Sequence, residues 1–264
     1  MALARPQKTQ TETSVRASGV DIVIAIDLSG SMESEDFEIK GQRVNRLVVA
    51  KETVAKFIEK RPNDRIGLVA FAGKPYIAAP LTLDHDFLRA NLDRLALHTI
   101  EDGTAIGAGL SAAVNRLRDV RSKSKIVILM TDGQNNAGKI PPLTAAEAAK
   151  ALDMKVYTIG VGIRGKAPFP QQTPFGKRYV MVEVDVDEPT LTAVAEKTGG
   201  KYFRADSTDT LRKIYDEIDQ FEKTEAVVKK FVRRDELFHW FAVPGLLLLL
   251  IEVLLANTIW RRLP

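Results

Sequence analysis

Val20-Asp21-Ile22-Val23-Ile24-Ala25-Ile26-Asp27-Leu28-Ser29-Gly30-Ser31-Met32 is the stretch that decides how this chain folds. Its first half, Val20 to Ile26, is an almost unbroken apolar run. That pattern predicts a central strand buried on both faces, as in a parallel sheet. Its second half places one acid and two hydroxyls at alternate positions, Asp27, Ser29 and Ser31, with Gly30 admitting a tight turn. A buried strand followed at once by oxygen-bearing side chains points to a site at the strand's carboxyl end.

The same apolar signature recurs along the chain. Arg65–Ala72, Lys125–Thr131, Lys155–Val161 and Lys201–Arg204 read as further strands, and Tyr76–Ala79 as a short edge strand stopped by Pro80. Helical spacing covers 43–60, 84–97, 104–117, 144–152 and 188–197. Ala105, Gly107, Ala108, Gly109, Ala112 and Ala113 are small enough to let the 104–117 helix lie close against a sheet. Residues 163–182, rich in proline and glycine, read as a loop or hairpin insertion. A long helix is expected from Ser207 to about Phe231, N-capped by Ser207 or Asp209. Strands alternating with helices predict a doubly wound α/β fold, a mostly parallel central sheet flanked by helices. In such sheets the binding crevice opens beyond the carboxyl ends of the strands.

Three segments bring chemistry to that end. Asp27, Ser29 and Ser31 follow the first strand, and Thr131-Asp132-Gly133 closes the KIVILMT strand with a second carboxylate. Asp102-Gly103-Thr104 opens a helix and offers a third hydroxyl. Asp27, Ser29, Ser31, Thr104 and Asp132 are all hard oxygen donors, without a histidine or thiol, which suits Mg²⁺, with Mn²⁺ or Ca²⁺ as alternatives. Two carboxylates neutralise such an ion formally, while neutral hydroxyls leave it electrophilic, ready for an external carboxylate. The competing expectation is that Ser29, Ser31 and Thr104 merely cap helices.

These residues resemble the metal-ion-dependent adhesion site (MIDAS) of von Willebrand factor type A (VWA) domains: Asp-x-Ser-x-Ser, a distant Thr, then a distant Asp. Asp27, Ser29 and Ser31 match the first element, Thr104 the second and Asp132 the third. The Ala4-Arg5-Pro6-Gln7 lead-in, the IDLSGSM string, Thr198–Ala205 and the Ile214-Tyr215…Ile218-Asp219 helix are similar to the bacterial BatA and BatB (aerotolerance) proteins. That resemblance spans about residues 3–260. It implies a non-enzymatic domain that binds a protein partner's acidic residue through metal. It also implies hydrophobic helices ahead of the ARPQ segment, a MoxR-type AAA+ ATPase and other Bat-type membrane proteins as partners, and a bacterial inner-membrane location.

Composition narrows the alternatives. The 264 residues include no cysteine, which excludes thiolate metal sites, disulfides and cysteine nucleophiles. A net charge of +4 spread along the chain gives no footprint for nucleic acid. No apolar run follows Met1, so no secretory signal is expected in this stretch. Residues 1–18 read as a flexible lead-in, 19–222 as the VWA domain, 223–236 as a basic juxtamembrane helix or linker, and 237–260 as a transmembrane helix with Trp240 and Trp260 near its ends. Lys223, Lys229, Lys230, Arg233 and Arg234 before that helix, against Arg261 and Arg262 after it, favour a cytoplasmic domain. The four acids Glu33, Glu35, Asp36 and Glu38 read as a solvated loop. A Mg²⁺-dependent phosphatase using Asp27 as nucleophile is disfavoured, because Ser29 stands where a second acid is wanted and no Gly-rich phosphate loop is present. A metal-independent membrane scaffold is the remaining alternative.

Overall fold

The stretch Asp21–Asp27 is buried at every position, which is why its apolar residues run on without alternation. In the computed structural model, residues 7–15, 19–120, 122, 124–174, 176–221, 228–236 and 238–258 are described. They form, in chain order, strands β1 (Gln7–Val15), β2 (Asp21–Asp27), β3 (Phe37–Ile39) and β4 (Gln42–Val44), helix α1 (Arg46–Glu59), strands β5 (Arg65–Phe71) and β6 (Pro75–Thr82), and helices α2 (His85–Arg94) and α3 (Ile106–Leu117). Then come β7 (Lys125–Thr131), α4 (Pro142–Ala151), β8 (Lys155–Val161), β9 (Gly165–Thr173), β10 (Gly176–Val184) and α5 (Glu188–Lys197). Finally come β11 (Tyr202–Ala205), α6 (Thr208–Phe221), β12 (Val228–Glu236) and α7 (Phe238–Thr258). The chain divides into two units, Ser18–Glu225 and a second made of Met1–Ala17 with Ala226–Pro264.

The first unit is built on a six-stranded sheet in the order β11-β8-β7-β2-β5-β6, parallel except for the edge strand β6. Period-two geometry sends Ile22, Ile24 and Ile26 to one face, where they join core residues of α1, α2 and α6. Val23 and Ala25 face the other way, into a core closed by α3, α4 and α5. Each fully buried isoleucine of this kind contributes about 1.5–3 kcal/mol relative to exposure. The expected close approach of α3 is real. A Cβ on Gly109 would stand 2.7 Å from the Phe71 ring, so only glycine lets the helix come this near the sheet.

Several element boundaries differ from the sequence reading. Pro80 does not stop the edge strand, which runs to Thr82. It pairs antiparallel with β5 through two register shifts, and an edge strand tolerates a residue without an N–H. The insertion expected at 163–182 is the β9–β10 hairpin. The long helix expected from Ser207 does take Ser207 as its cap, with the Oγ accepting from Thr210 N at 3.2 Å. Its described part runs to Phe221, and it does not reach Phe231, because Val228–Glu236 is a strand.

In the second unit, β12 pairs antiparallel with β1, with Thr9, Thr11, Thr13 and Val15 opposite Arg234, Val232, Lys230 and Val228. Neither the flexible lead-in over 1–18 nor the basic helix or linker over 223–236 describes this pairing. β-Branched residues at alternate positions, Thr9, Thr11, Thr13 and Val15, favour a strand in the first segment, and Val228, Phe231 and Val232 favour one in the second; positions 1–6, 16–18 and 222–227 lie outside the described residues. α7 carries exposed leucines from Leu246 to Leu250. Among the described residues no helix is long and apolar enough to cross a membrane, so the transmembrane helix expected over 237–260 is not shown. Pro244 lies inside α7, and Glu252 interrupts its apolar run. Residues 237 and 259–260, Trp260 included, lie outside the described set.

Candidate metal centre

The order of strands creates the site before any side chain is considered. From β2 the sheet continues through β5 and β6 on one side, and through β7, β8 and β11 on the other. The topological switch therefore falls between the carboxyl ends of β2 and β7, where crevices open in α/β sheets. Asp27 is the last residue of β2, and Asp132 directly follows the last residue of β7. The loop carrying Thr104 is fastened to the neighbouring end of β5, with Gly73 N donating to Glu101 O at 2.9 Å and Ala105 N to Ala72 O at 2.8 Å.

The five predicted residues do come together. Asp27 Oδ1 accepts from Ser29 N at 2.8 Å, and its Oδ2 accepts from Thr131 Oγ1 at 2.5 Å. Ser29 Oγ and Ser31 Oγ stand 3.0 Å apart, and Ser31 Oγ donates to Asp132 Oδ1 at 2.6 Å. A Cβ built on Gly133 would be 3.3 Å from Thr104 Oγ1 and 3.8 Å from Ser31 Oγ, which puts the third hydroxyl in the same cluster. Asp27, Ser29, Thr104 and Asp132 are all buried.

Capping does not account for this arrangement. Ser29 makes no side-chain cap to the short 3₁₀ turn Gly30–Glu33, and α3 begins after Ala105 with no side-chain cap. The electrostatics instead describe a site short of positive charge. Burial, followed by the nearby charge of Asp132, pushes the Asp27 carboxyl up to about 7. Burial also raises Asp132, against the opposing pull of Arg46. Two buried acids facing each other are costly unless a cation joins them.

The donor set fits a small divalent ion. An octahedral ion with ligands at about 2.1 Å sets adjacent oxygens about 3 Å apart, and the two serine hydroxyls stand 3.0 Å apart. Among the described residues no cluster of three or more His, Cys, Asp or Glu side chains is placed to hold a metal ion. The candidate centre has two carboxylates, with hydroxyls completing the set. Asp27, Ser29, Ser31, Thr104 and Asp132 are the residues that would hold Mg²⁺, directly or through water, and the ion would supply an electrophilic point for an incoming oxygen ligand.

Supporting residues escaped the sequence reading. Asp36 does not sit in a solvated loop: with a fully buried side chain it grips Arg46, whose Nε is 2.9 Å from Oδ1 and whose Nη2 is 2.5 Å from Oδ2. Arg46 Nη1 in turn donates to Asp132 Oδ2 at 2.6 Å. The neighbouring acids are also tied down: Glu33 to His98, and Glu35 to Lys177 and Tyr179 of the hairpin. Asn136 Oδ1 accepts from Thr104 N at 2.7 Å, and Asp102 Oδ1 from Gly30 N at 3.1 Å, so each donor loop is braced by another. Those backbone donors, Gly30 first and then Gly103, hold the Asp102 carboxyl below its ordinary value. Asn135-Asn136, separated from Thr131-Asp132-Gly133 by Gln134 alone, is the sequence signal for this bracing. A cavity of about 580 Å³ opens over the site, lined by Ser31, Arg46, Thr104 and Asp132 on one side and by Val182 and Asp185 at the end of the hairpin on the other.

Comparison with known proteins agrees with this fold. The von Willebrand factor type A domain family matches residues 21–217. BatB from Bacteroides thetaiotaomicron, a conserved hypothetical protein of known structure, is 28% identical, with a TM-score of 0.63 over 78% of this chain and 100% of that one. An aerotolerance-related membrane protein from Bacteroides fragilis is 26% identical, with a TM-score of 0.63 over 75% of this chain and 98% of that one. An uncharacterized protein from Borreliella burgdorferi is 29% identical over 99% of this chain and 76% of its own length. The chain belongs to the von Willebrand factor type A domain family, and within it is similar to the BatB and aerotolerance-related proteins.

Proposed function

We propose that this chain is a non-enzymatic, metal-dependent protein-binding module. Mg²⁺ is the natural ion for the centre, with Mn²⁺ or Ca²⁺ as substitutes, and a partner's Asp or Glu completes its shell. The observation that carries this reading is the gathering of Ser29, Ser31 and Thr104 hydroxyls between the buried carboxylates of Asp27 and Asp132, under an open cleft. Hydroxyl ligands neutralise little of an ion's charge, so the ion keeps its attraction for an external acid. A nucleophilic role for Asp27 is not supported, because both of its oxygens are bonded within the protein and its carboxyl lies at the floor of the site.

The likeness to an aerotolerance-related membrane protein extends the proposal. α7, with its row of exposed leucines, holds the chain at the bacterial inner membrane, with the VWA domain on the cytoplasmic side. A MoxR-type AAA+ ATPase and other Bat-type membrane proteins are the proposed partners. Affinity purification of the full chain from membranes, with Mg²⁺ and with chelator, beside an Asp27→Ala control, tests the module. Partners are expected to be retained only by the wild-type chain with Mg²⁺. Equal recovery in all three arms removes metal from the mechanism.

A further inference from the structure

Asp132 is fully engaged before any ion arrives. Its Oδ1 accepts from Ser31 Oγ at 2.6 Å and its Oδ2 accepts from Arg46 Nη1 at 2.6 Å. Arg46 is itself held in one pose. Asp36 clamps Nε and Nη2, and the backbone N–H of Ile163 donates to Asp36 Oδ2 at 3.1 Å. The guanidinium passes directly over Gly162, where a Cβ would stand 2.6 Å from Nη2, and the backbone there is at φ +122°. Only glycine satisfies both constraints. This is a built arrangement: an arginine with 1% of its surface exposed, a buried acid to aim it, and a gap in the next loop to admit it.

We propose that Arg46 is a positioning residue that holds Asp132 out of direct coordination, so that this acid contributes charge to the centre but not an oxygen. The proposal rests on the metal-binding reading above and deepens it. With Asp132 tied on both oxygens, the ion meets the Ser31 oxygen while the Ser31 proton points to Asp132. The buried charges agree: the carboxylates of Asp27, Asp36 and Asp132 against one guanidinium leave two negative charges when all are ionised, the complement of a divalent cation. The consequence is selectivity. Mg²⁺ tolerates a shell of few protein ligands and retained waters, whereas Ca²⁺ gains from carboxylates free to bind through both oxygens. Freed from Arg46, Asp132 could turn both oxygens to the ion, quench its charge and favour the larger cation.

The test compares Mg²⁺ and Ca²⁺ titrations, by calorimetry, into the full-length wild type, Arg46→Gln and Arg46→Lys, with Mn²⁺ in ¹⁷O-water to count waters on the ion. Arg46→Gln is expected to shift the Ca²⁺ to Mg²⁺ affinity ratio toward Ca²⁺ by about 10-fold or more, the usual size of such supporting-residue effects. It is also expected to displace at least one water from Mn²⁺ as Asp132 enters. Arg46→Lys, which keeps the charge but loses the fork to Asp36, is expected to fall between. A purely structural role for Arg46 lowers the melting temperature and leaves ratio and water count alone, which overturns the proposal. If Arg46→Gln does not fold, an unchanged ratio in Arg46→Lys overturns it equally. A wild type that binds neither ion overturns the metal reading and this proposal together. A wild type that prefers Mg²⁺, beside variants that prefer it as strongly, overturns this proposal alone.

Discussion

Ser31 donates its hydroxyl proton to Asp132 across 2.6 Å, although 101 residues separate them in the chain. One of these residues leaves β2 and the other leaves β7, adjacent parallel strands in which Ile26 stands opposite Met130. Strand order and register bring the two loops face to face, and Arg46 then aims the Asp132 carboxylate within them.

Replacing Asp27 by Ala or Asn is expected to abolish Mg²⁺ binding while the fold persists, because Asp27 is the last residue of β2 and its buried carboxyl is opposed by the charge of Asp132. Circular dichroism of the variants should match that of the wild type. Calorimetry with Mg²⁺ should give no saturable signal. Retained binding at wild-type affinity would remove Asp27 from the centre.

The pH dependence has a definite sign. In the folded, metal-free chain the Asp27 carboxyl is raised from its ordinary 3.8 to about 7. Between those values the folded state holds a proton that the unfolded state has lost, so this residue's contribution to stability falls as pH rises and levels off above about 7. The ion needs the carboxylate ionised, so Mg²⁺ affinity is expected to rise over the same window, with proton release. Thermal unfolding in chelator from pH 4 to 8, wild type against Asp27→Asn, isolates the effect. The wild type should lose stability relative to the variant as pH increases.

Asn136→Ala tests the bracing of the third hydroxyl. Thr104 N loses the acceptor that stands at 2.7 Å, and the loop carrying its Oγ1 loosens. The expected result is a loss of about 10-fold or more in Mg²⁺ affinity with little change in melting temperature, by analogy with other outer supports of metal ligands. Unchanged affinity would show that Thr104 is placed by the backbone bonds of its loop alone.

Gly109→Val tests the packing that brings α3 to the sheet. Its Cβ would stand 2.7 Å from the Phe71 ring, so helix or ring must move, at a cost of about 1–3 kcal/mol. For a domain of this size each kcal/mol lowers the melting temperature by about 2–4 °C. A variant as stable as the wild type would contradict the close packing.

What could be read from sequence, and what could not, divides along physical lines. β2, β7 and β8 announce themselves because strands buried on both faces must be continuously apolar. The donor residues announce themselves because they sit at the ends of those strands. Asp36 and Arg46 were hidden because a charged residue in a polar stretch looks solvated until the fold closes over it, and their partners lie 10 and 86 positions away. The end of α6 was misplaced because Val228, Phe231 and Val232 satisfy helical spacing and strand propensity alike. Only pairing with β1 decides between them.

Anomalous diffraction from a crystal of the chain grown with Mn²⁺ would show whether an ion sits among these five side chains. One strong peak is expected about 2.2 Å from Ser29 Oγ and Ser31 Oγ and within reach of Thr104 Oγ1, with Asp27 and Asp132 beside it. A map with no peak there, while those side chains keep the positions described, would contradict the metal-binding reading.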